Sequence, residues 1–223
     1  MTKVRGENHG RSCTAAGFTL VELIIVMFVI TLLAGTVAPL ATATQRAERY
    51  QRARQELEAL DLALQAYYYE HGTFPTTIDA SDFYGVHLGG GIADDTIRDE
   101  WGSAWYRYSR TTNPDRCQVW SIGEDLVNAG AASEALSLTV EGRVPGDRRT
   151  RERLAIIAGA LAAHIANGGS LTGTWSTDRA AMGLGSVYES DAYGTSFQID
   201  AGTRVVTSAG ADRVFSTADD LGS

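Results

Sequence analysis

The sequence predicts an α+β protein. A long N-terminal helix, hydrophobic through its first part, packs on a small antiparallel sheet, and a second α+β domain of the same plan follows without the apolar half-helix. Three observations lead there. Residues 18–40 form an apolar run with one formal charge, Glu22. Two runs rich in aromatic and β-branched residues, Trp101-Gly102-Ser103-Ala104-Trp105-Tyr106-Arg107-Tyr108 and Arg116-Cys117-Gln118-Val119-Trp120-Ser121, flank Asn113-Pro114-Asp115, a hairpin signature. The last third of the chain then repeats features of the middle third in the same order.

The apolar run comes first. As a helix, residues 18–40 reach about 34 Å, enough to cross a hydrocarbon core of about 30 Å. Residues 1–17 are polar and basic, as in a leader. A lone carboxylate at Glu22 costs at least ~2.5 kcal/mol near the centre of a bilayer, so it calls for a partner. Cleavage after Gly17 would leave a positively charged α-amine on Phe18, four residues from Glu22. Positions i and i+4 share a helix face, so the amine of one copy can meet Glu22 of a neighbour. Two other readings of the same run stand beside this one. An ordinary secretory signal cut at Ala41-Thr42-Ala43 would release a soluble binding module starting at Thr44, although it must accept Glu22 inside its apolar region. A plain transmembrane anchor is the third.

Pro39 removes a helical hydrogen bond and predicts a kink. Beyond it Leu57, Leu60, Leu64 and Tyr67 or Tyr68 recur at helical steps, with Arg54, Glu58, Asp61 and Gln65 between them. Gly72 and Pro75 end the run, giving a helix of about 80 Å if continuous. The Tyr67-Tyr68-Tyr69 cluster reads as core and boundary packing. Residues 73–98 read as an irregular loop; their Gly89-Gly90-Gly91 lacks the flanking strand and helix of a phosphate cradle.

The second half repeats this order. After a strand over 136–140 and a linker over 141–147, an amphipathic helix begins near Arg148. Leu154, Ile157 and Leu161 match Leu57, Leu60 and Leu64, and Gly169 matches Gly72. Asp191-Ala192-Tyr193-Gly194 echoes Asp99-Glu100-Trp101-Gly102. Runs at 197–199 and 203–206 supply two strands, and Ser208-Ala209-Gly210-Ala211-Asp212 echoes the stretch from Ser121 to Asp125. The ordered matches indicate a tandem duplication.

Gly-Phe-Thr-Leu-Val-Glu after a short polar leader, with Pro39 twenty-one residues past Phe18, resembles the class III signal of type IV pilins and type II secretion pseudopilins. The resemblance implies a prepilin peptidase that cuts between Gly17 and Phe18 and N-methylates Phe18. It also implies a filament cored by the apolar helix, with Glu22 facing a neighbour's N-terminus. The order of long helix, loop, Asp-x-Trp-Gly, two strands and Ser-x-Gly-x-Asp is similar to the major pseudopilin of type II secretion.

On that footing the expected organisation is a leader (1–17), a transmembrane and filament-core helix (18–40), and a first pilin-like soluble domain (41–135). A strand and linker (136–147) and a second pilin-like domain (148–223) follow. The implied setting is the inner membrane, single-pass, with the soluble domains in the periplasm. The implied partners are other copies of the chain, minor pseudopilins, the peptidase, the assembly platform and, before assembly, membrane lipid. A surface type IV pilin for adhesion, motility or DNA uptake is the alternative from the same superfamily.

Asp212, Asp219 and Asp220 place three carboxylates in nine residues. Hard oxygen donors in a loop suit Ca²⁺, and a solvated acidic tail is the plainer alternative. The stretch is similar to the calcium loop of the major pseudopilin, Asp-Gly-x-x-Gly-x-x-Asp-Asp, which implies Asp212, Asp219 and Asp220 as ligands. Arg213 and Ser216 stand where that pattern has glycine. The first copy keeps Asp125 but has Ala132 and Ser133 at the acidic pair, so no metal is expected there.

The chain of 223 residues carries a net charge of −8; the leader holds Lys3, Arg5 and Arg11 against Glu7, so its loss would leave −10. That balance argues against nucleic-acid binding, which needs clustered cations. Cys13 lies in the leader, leaving Cys117 without a disulfide partner and suited to a buried position. His71, His87 and His164 show no ligand spacing, and no nucleophile motif occurs. A structural protein, not an enzyme, is expected.

Overall fold

The computed structural model describes residues 19–88, 98–102, 106–132, 134 and 136–223, with the backbone alone for 35–40. It is α+β. Helix α1 spans Leu20–His71, strands β1 (Arg107–Thr112), β2 (Asp115–Trp120) and β3 (Ser137–Glu141) follow, and then helix α2 (Arg143–Ala166). Helix α3 (Trp175–Ala181) and a 3₁₀ turn at Ser186–Tyr188 lead to β4 (Gln198–Asp200), β5 (Val205–Ser208) and β6 (Leu221–Gly222). The chain divides into two compact units, 1–48 and 49–223.

In the first unit α1 begins where a capping box dictates. The Glu22 N–H donates to Thr19 Oγ1 at 3.3 Å, while the Thr19 N–H and hydroxyl donate to Glu22 Oε2 at 3.2 and 3.1 Å. Thr-x-x-Glu pairs the helix's loose N-terminal donors reciprocally. Along this part Leu20, Leu23, Ile24, Phe28, Leu32 and Leu33 are all exposed. The expectation that 18–40 crosses a membrane is not supported: among the described residues no helix is long and apolar enough to do so. Phe18 and the side chains of 35–40, Pro39 included, lie outside the described residues.

The second unit contains both sheets and, from residue 49 on, both halves expected as copies. In the first, Leu57, Leu60, Leu64, Tyr67 and Tyr68 of α1 are buried against Phe74, Phe83, Val119 and Val140. Gly72 ends the helix at φ 72°, a conformation open to glycine at no steric cost. The sheet runs β1-β2-β3, antiparallel throughout. Its hairpin turn falls at Asn113-Pro114 as expected, but β1 starts at Arg107 and not at Trp101. Ahead of it Trp101-Gly102 forms a turn, with Gly102 at φ 86°.

The second copy has the same plan. Leu154, Ile157 and Leu161 are buried with Trp175, Phe197 and Val206, over an antiparallel β4-β5-β6 sheet. The glycine that leaves its helix in the left-handed region is Gly168, at φ 81°, one position before the expected Gly169. The stretch read as a linker is helical from Arg143. Pro145 is compatible with this because it sits in the first helical turn, where no N–H has an intrahelical partner. Two glycines one turn apart accept a tyrosine each at this join. A Cβ on Gly142 would lie 2.6 Å from the Tyr68 ring, and one on Gly146 2.6 Å from the Tyr193 ring.

Candidate functional sites

The two halves of the chain are most alike in a buried polar latch. In the first copy the Ser121 hydroxyl lies 2.8 Å from both carboxylate oxygens of Asp99, which also accepts the N–H groups of Ile122 (3.0 Å) and Trp101 (3.3 Å). Ser121 Oγ accepts the Gly123 N–H at 2.9 Å. In the second, the Ser208 hydroxyl donates to Asp191 at 2.7 Å, and Asp191 accepts the N–H groups of Tyr193 and Thr195, both at 2.9 Å. Ser208 Oγ accepts the Gly210 N–H at 3.1 Å. All four side chains are buried. Burial raises the Asp191 carboxyl above the usual range, against the pull of its donors. The latch joins the turn before each hairpin to the loop after it, so it is structural.

The loop between β5 and β6 holds the expected calcium ligands. Asp212 accepts the Val214 N–H at 2.8 Å, and Asp220 the Ser216 N–H at 2.7 Å. Asp219 accepts the Asp212 N–H at 3.0 Å and the Thr217 hydroxyl at 2.7 Å. The Thr217 hydroxyl, foremost, holds the Asp219 carboxyl below the usual range. Each carboxylate is thus engaged by the loop's own donors. The two positions where the resemblance calls for glycine both take left-handed backbone, Arg213 at φ 63° and Ser216 at φ 71°. The Arg213 guanidinium leaves the loop to reach Asp115 at 2.8 Å and the Thr112 carbonyl at 3.2 Å.

Asp115 is shared across the two copies, since it also accepts the Tyr68 hydroxyl at 2.7 Å. Burial, foremost, together with Asp115 pushes the Tyr68 phenol far above its ordinary value. Nearby, Tyr69 hydrogen-bonds Glu152 and lies under the Arg148 guanidinium, 5.0 Å from its ring centre. A cavity of about 430 Å³ opens beside this seam, bordered by Asp115, Arg143, Tyr193, Asp212 and Asp219.

No family model, curated protein sequence or solved structure matches the chain. The sites therefore rest on their own geometry.

Of the sequence-predicted positions, Gly17 and Phe18 lie outside the described residues, and Glu22 is exposed in its capping box. Asp212, Asp219 and Asp220 share one loop. Cys117 is buried and unpaired by disulfide, its thiol pushed up to about 12 by burial. The sequence reading missed one cluster. His71 and His87, apart in sequence, converge with Glu70 so that one ligand atom of each lies within 4.8 Å of the others. The chain reverses at Gly72 and folds residues 73–88 back along the helix end, anchored by Phe74, Ile78 and Phe83. A buried Phe83 four residues before His87 was the available signal.

Proposed function

We propose that the chain is a structural subunit of a type II secretion pseudopilus, cleaved after Gly17 and N-methylated on Phe18. The observation that carries this reading is Gly17-Phe18-Thr19-Leu20-Val21-Glu22 leading into an apolar stretch. Two further features support it. Helix α1 starts at Leu20, just past the proposed cut, so cleavage would leave a free amine at the head of a helix. The apolar side chains from Leu20 to Leu33 are exposed in the single chain, and apolar surface on that scale marks an interaction site. In the proposed filament other copies cover it; before assembly, lipid of the inner membrane does.

Calcium in the β5–β6 loop belongs to the same proposal. The left-handed backbone at Arg213 and Ser216 follows the path that glycine allows in the loop it resembles. The remaining partners are minor pseudopilins, the peptidase and the assembly platform, with the soluble domains in the periplasm. A surface pilus subunit is the second reading within the superfamily.

N-terminal sequencing of the protein from its native membrane decides the first step. A mature chain beginning with methylated Phe18 is expected. A chain beginning at Thr44 would replace the filament subunit by a secreted binding module.

A further inference from the structure

At the C-terminal end of α1, Glu70, His71 and His87 present ligand atoms within 4.8 Å of one another. His87 Nε2 lies 3.8 Å from Glu70 Oε2, with the His87 side chain only 6% exposed. That nitrogen has no hydrogen-bond partner. A buried polar atom without a partner is costly, yet this one faces a carboxylate just beyond hydrogen-bond reach. His71 is arranged to complement it. Its Nδ1 is 3.1 Å from the Tyr67 carbonyl, which assigns the proton to Nδ1 and leaves Nε2 as a lone-pair donor. A metal-ligating histidine commonly gives its other N–H to a backbone carbonyl in this way.

The rings are held from several sides. His71 stacks on Tyr67 at 4.1 Å between centroids, and His87 meets the edge of the same tyrosine at 5.3 Å. Tyr67 is fixed in turn by donating to Asp82 at 2.6 Å. The His87 backbone N–H donates to the Phe83 carbonyl at 3.0 Å, tying the backbone that carries the ring to a buried anchor.

We propose that Glu70, His71 and His87 form a binding site for a first-row divalent transition metal of the zinc class. Two imidazoles and one carboxylate are a ligand set suited to Zn²⁺. In a tetrahedral site with bonds of about 2.1 Å, neighbouring ligand atoms lie about 3.4 Å apart, so the 3.8 Å between His87 and Glu70 closes by a few tenths of an ångström, and the separations to His71, within 4.8 Å, by no more than about 1.4 Å through rotation of the exposed Glu70 and His71 side chains. Glu70 and His71 are exposed, which leaves the fourth position to water. The helix C-terminus adds a favourable negative potential. The ion would clip the 73–88 loop to the helix end. Imidazole nitrogen distinguishes this site from the all-oxygen β5–β6 loop, and the inference does not depend on the filament reading.

The test is Zn²⁺ titration of the metal-stripped full chain, made without a polyhistidine tag, by calorimetry and by thermal unfolding. One ion per chain bound at this site and a raised melting temperature are expected. Glu70→Gln, His71→Ala and His87→Ala should each weaken binding by at least about tenfold, the loss seen even for outer-shell partners. His164→Ala, whose ring contacts the Ser170 carbonyl instead, should leave it unchanged. His71 is exposed, so its variant keeps the fold even if that of His87 does not. Zn²⁺ binding as tight in His71→Ala as in the parent, or no Zn²⁺ binding by the parent at all, would overturn the proposal.

Discussion

Ser216 occupies left-handed backbone at φ 71°, a region that costs a residue with a Cβ roughly 1–2 kcal/mol. It holds that conformation because its N–H is needed by Asp220. Glycine there relieves the strain, while adding about 0.4–1 kcal/mol of freedom to the unfolded chain. Ser216→Gly is therefore expected to raise stability by up to about 1 kcal/mol, read from a denaturant midpoint at constant slope. A lower midpoint would mean that the serine side chain contributes more than its backbone costs. Arg213 is a poorer subject because its guanidinium also binds Asp115.

At the scale of elements, each copy is closed by one aspartate and one serine. Ser121→Ala and Ser208→Ala each take a donor from a buried carboxylate and an acceptor from a glycine N–H. Leaving such groups unsatisfied costs about 1–3 kcal/mol, and the two variants should lose similar amounts in equilibrium unfolding. A large loss for one alone would show that the copies no longer rely on the same joint. Much of this architecture was legible. The Leu57, Leu60, Leu64 stripe and its counterpart, Leu154, Ile157 and Leu161, fell where both cores lie, because helical periodicity is local. The start of α2 differs from the expected Arg148 because residues 143–147 carry Pro145 and Gly146 and no apolar periodicity, and only its place in the first turn makes the proline compatible with a helix. The short β6 was not foreseen. Two residues carry no periodicity, and they become a strand only because β5 supplies an edge. Nor was the Glu70–His71–His87 cluster, since sequence spacing says nothing of a loop that folds back.

For the whole molecule, the contested residue is Glu22. The capping box gives it a local duty in addition to the proposed pairing between copies, and the two separate by substitution. Glutamine serves at the third position of a capping box as glutamate does, but carries no charge. If the proposed charge pairing governs assembly, Glu22→Gln and Glu22→Ala should both be cleaved normally and both fail to form filaments by electron microscopy. Filaments from Glu22→Gln with none from Glu22→Ala would assign the residue to starting the helix. Normal filaments from both would remove it from assembly altogether.

Strand β3 passes into α2 within two residues, through a glycine that receives a tyrosine of the first copy. A chain stopped at residue 141 would therefore bare the Tyr68 ring and take away the Arg213 cation that meets Asp115. The surface of the first half is thus finished by residues of the second, and the two are expected to unfold as one unit.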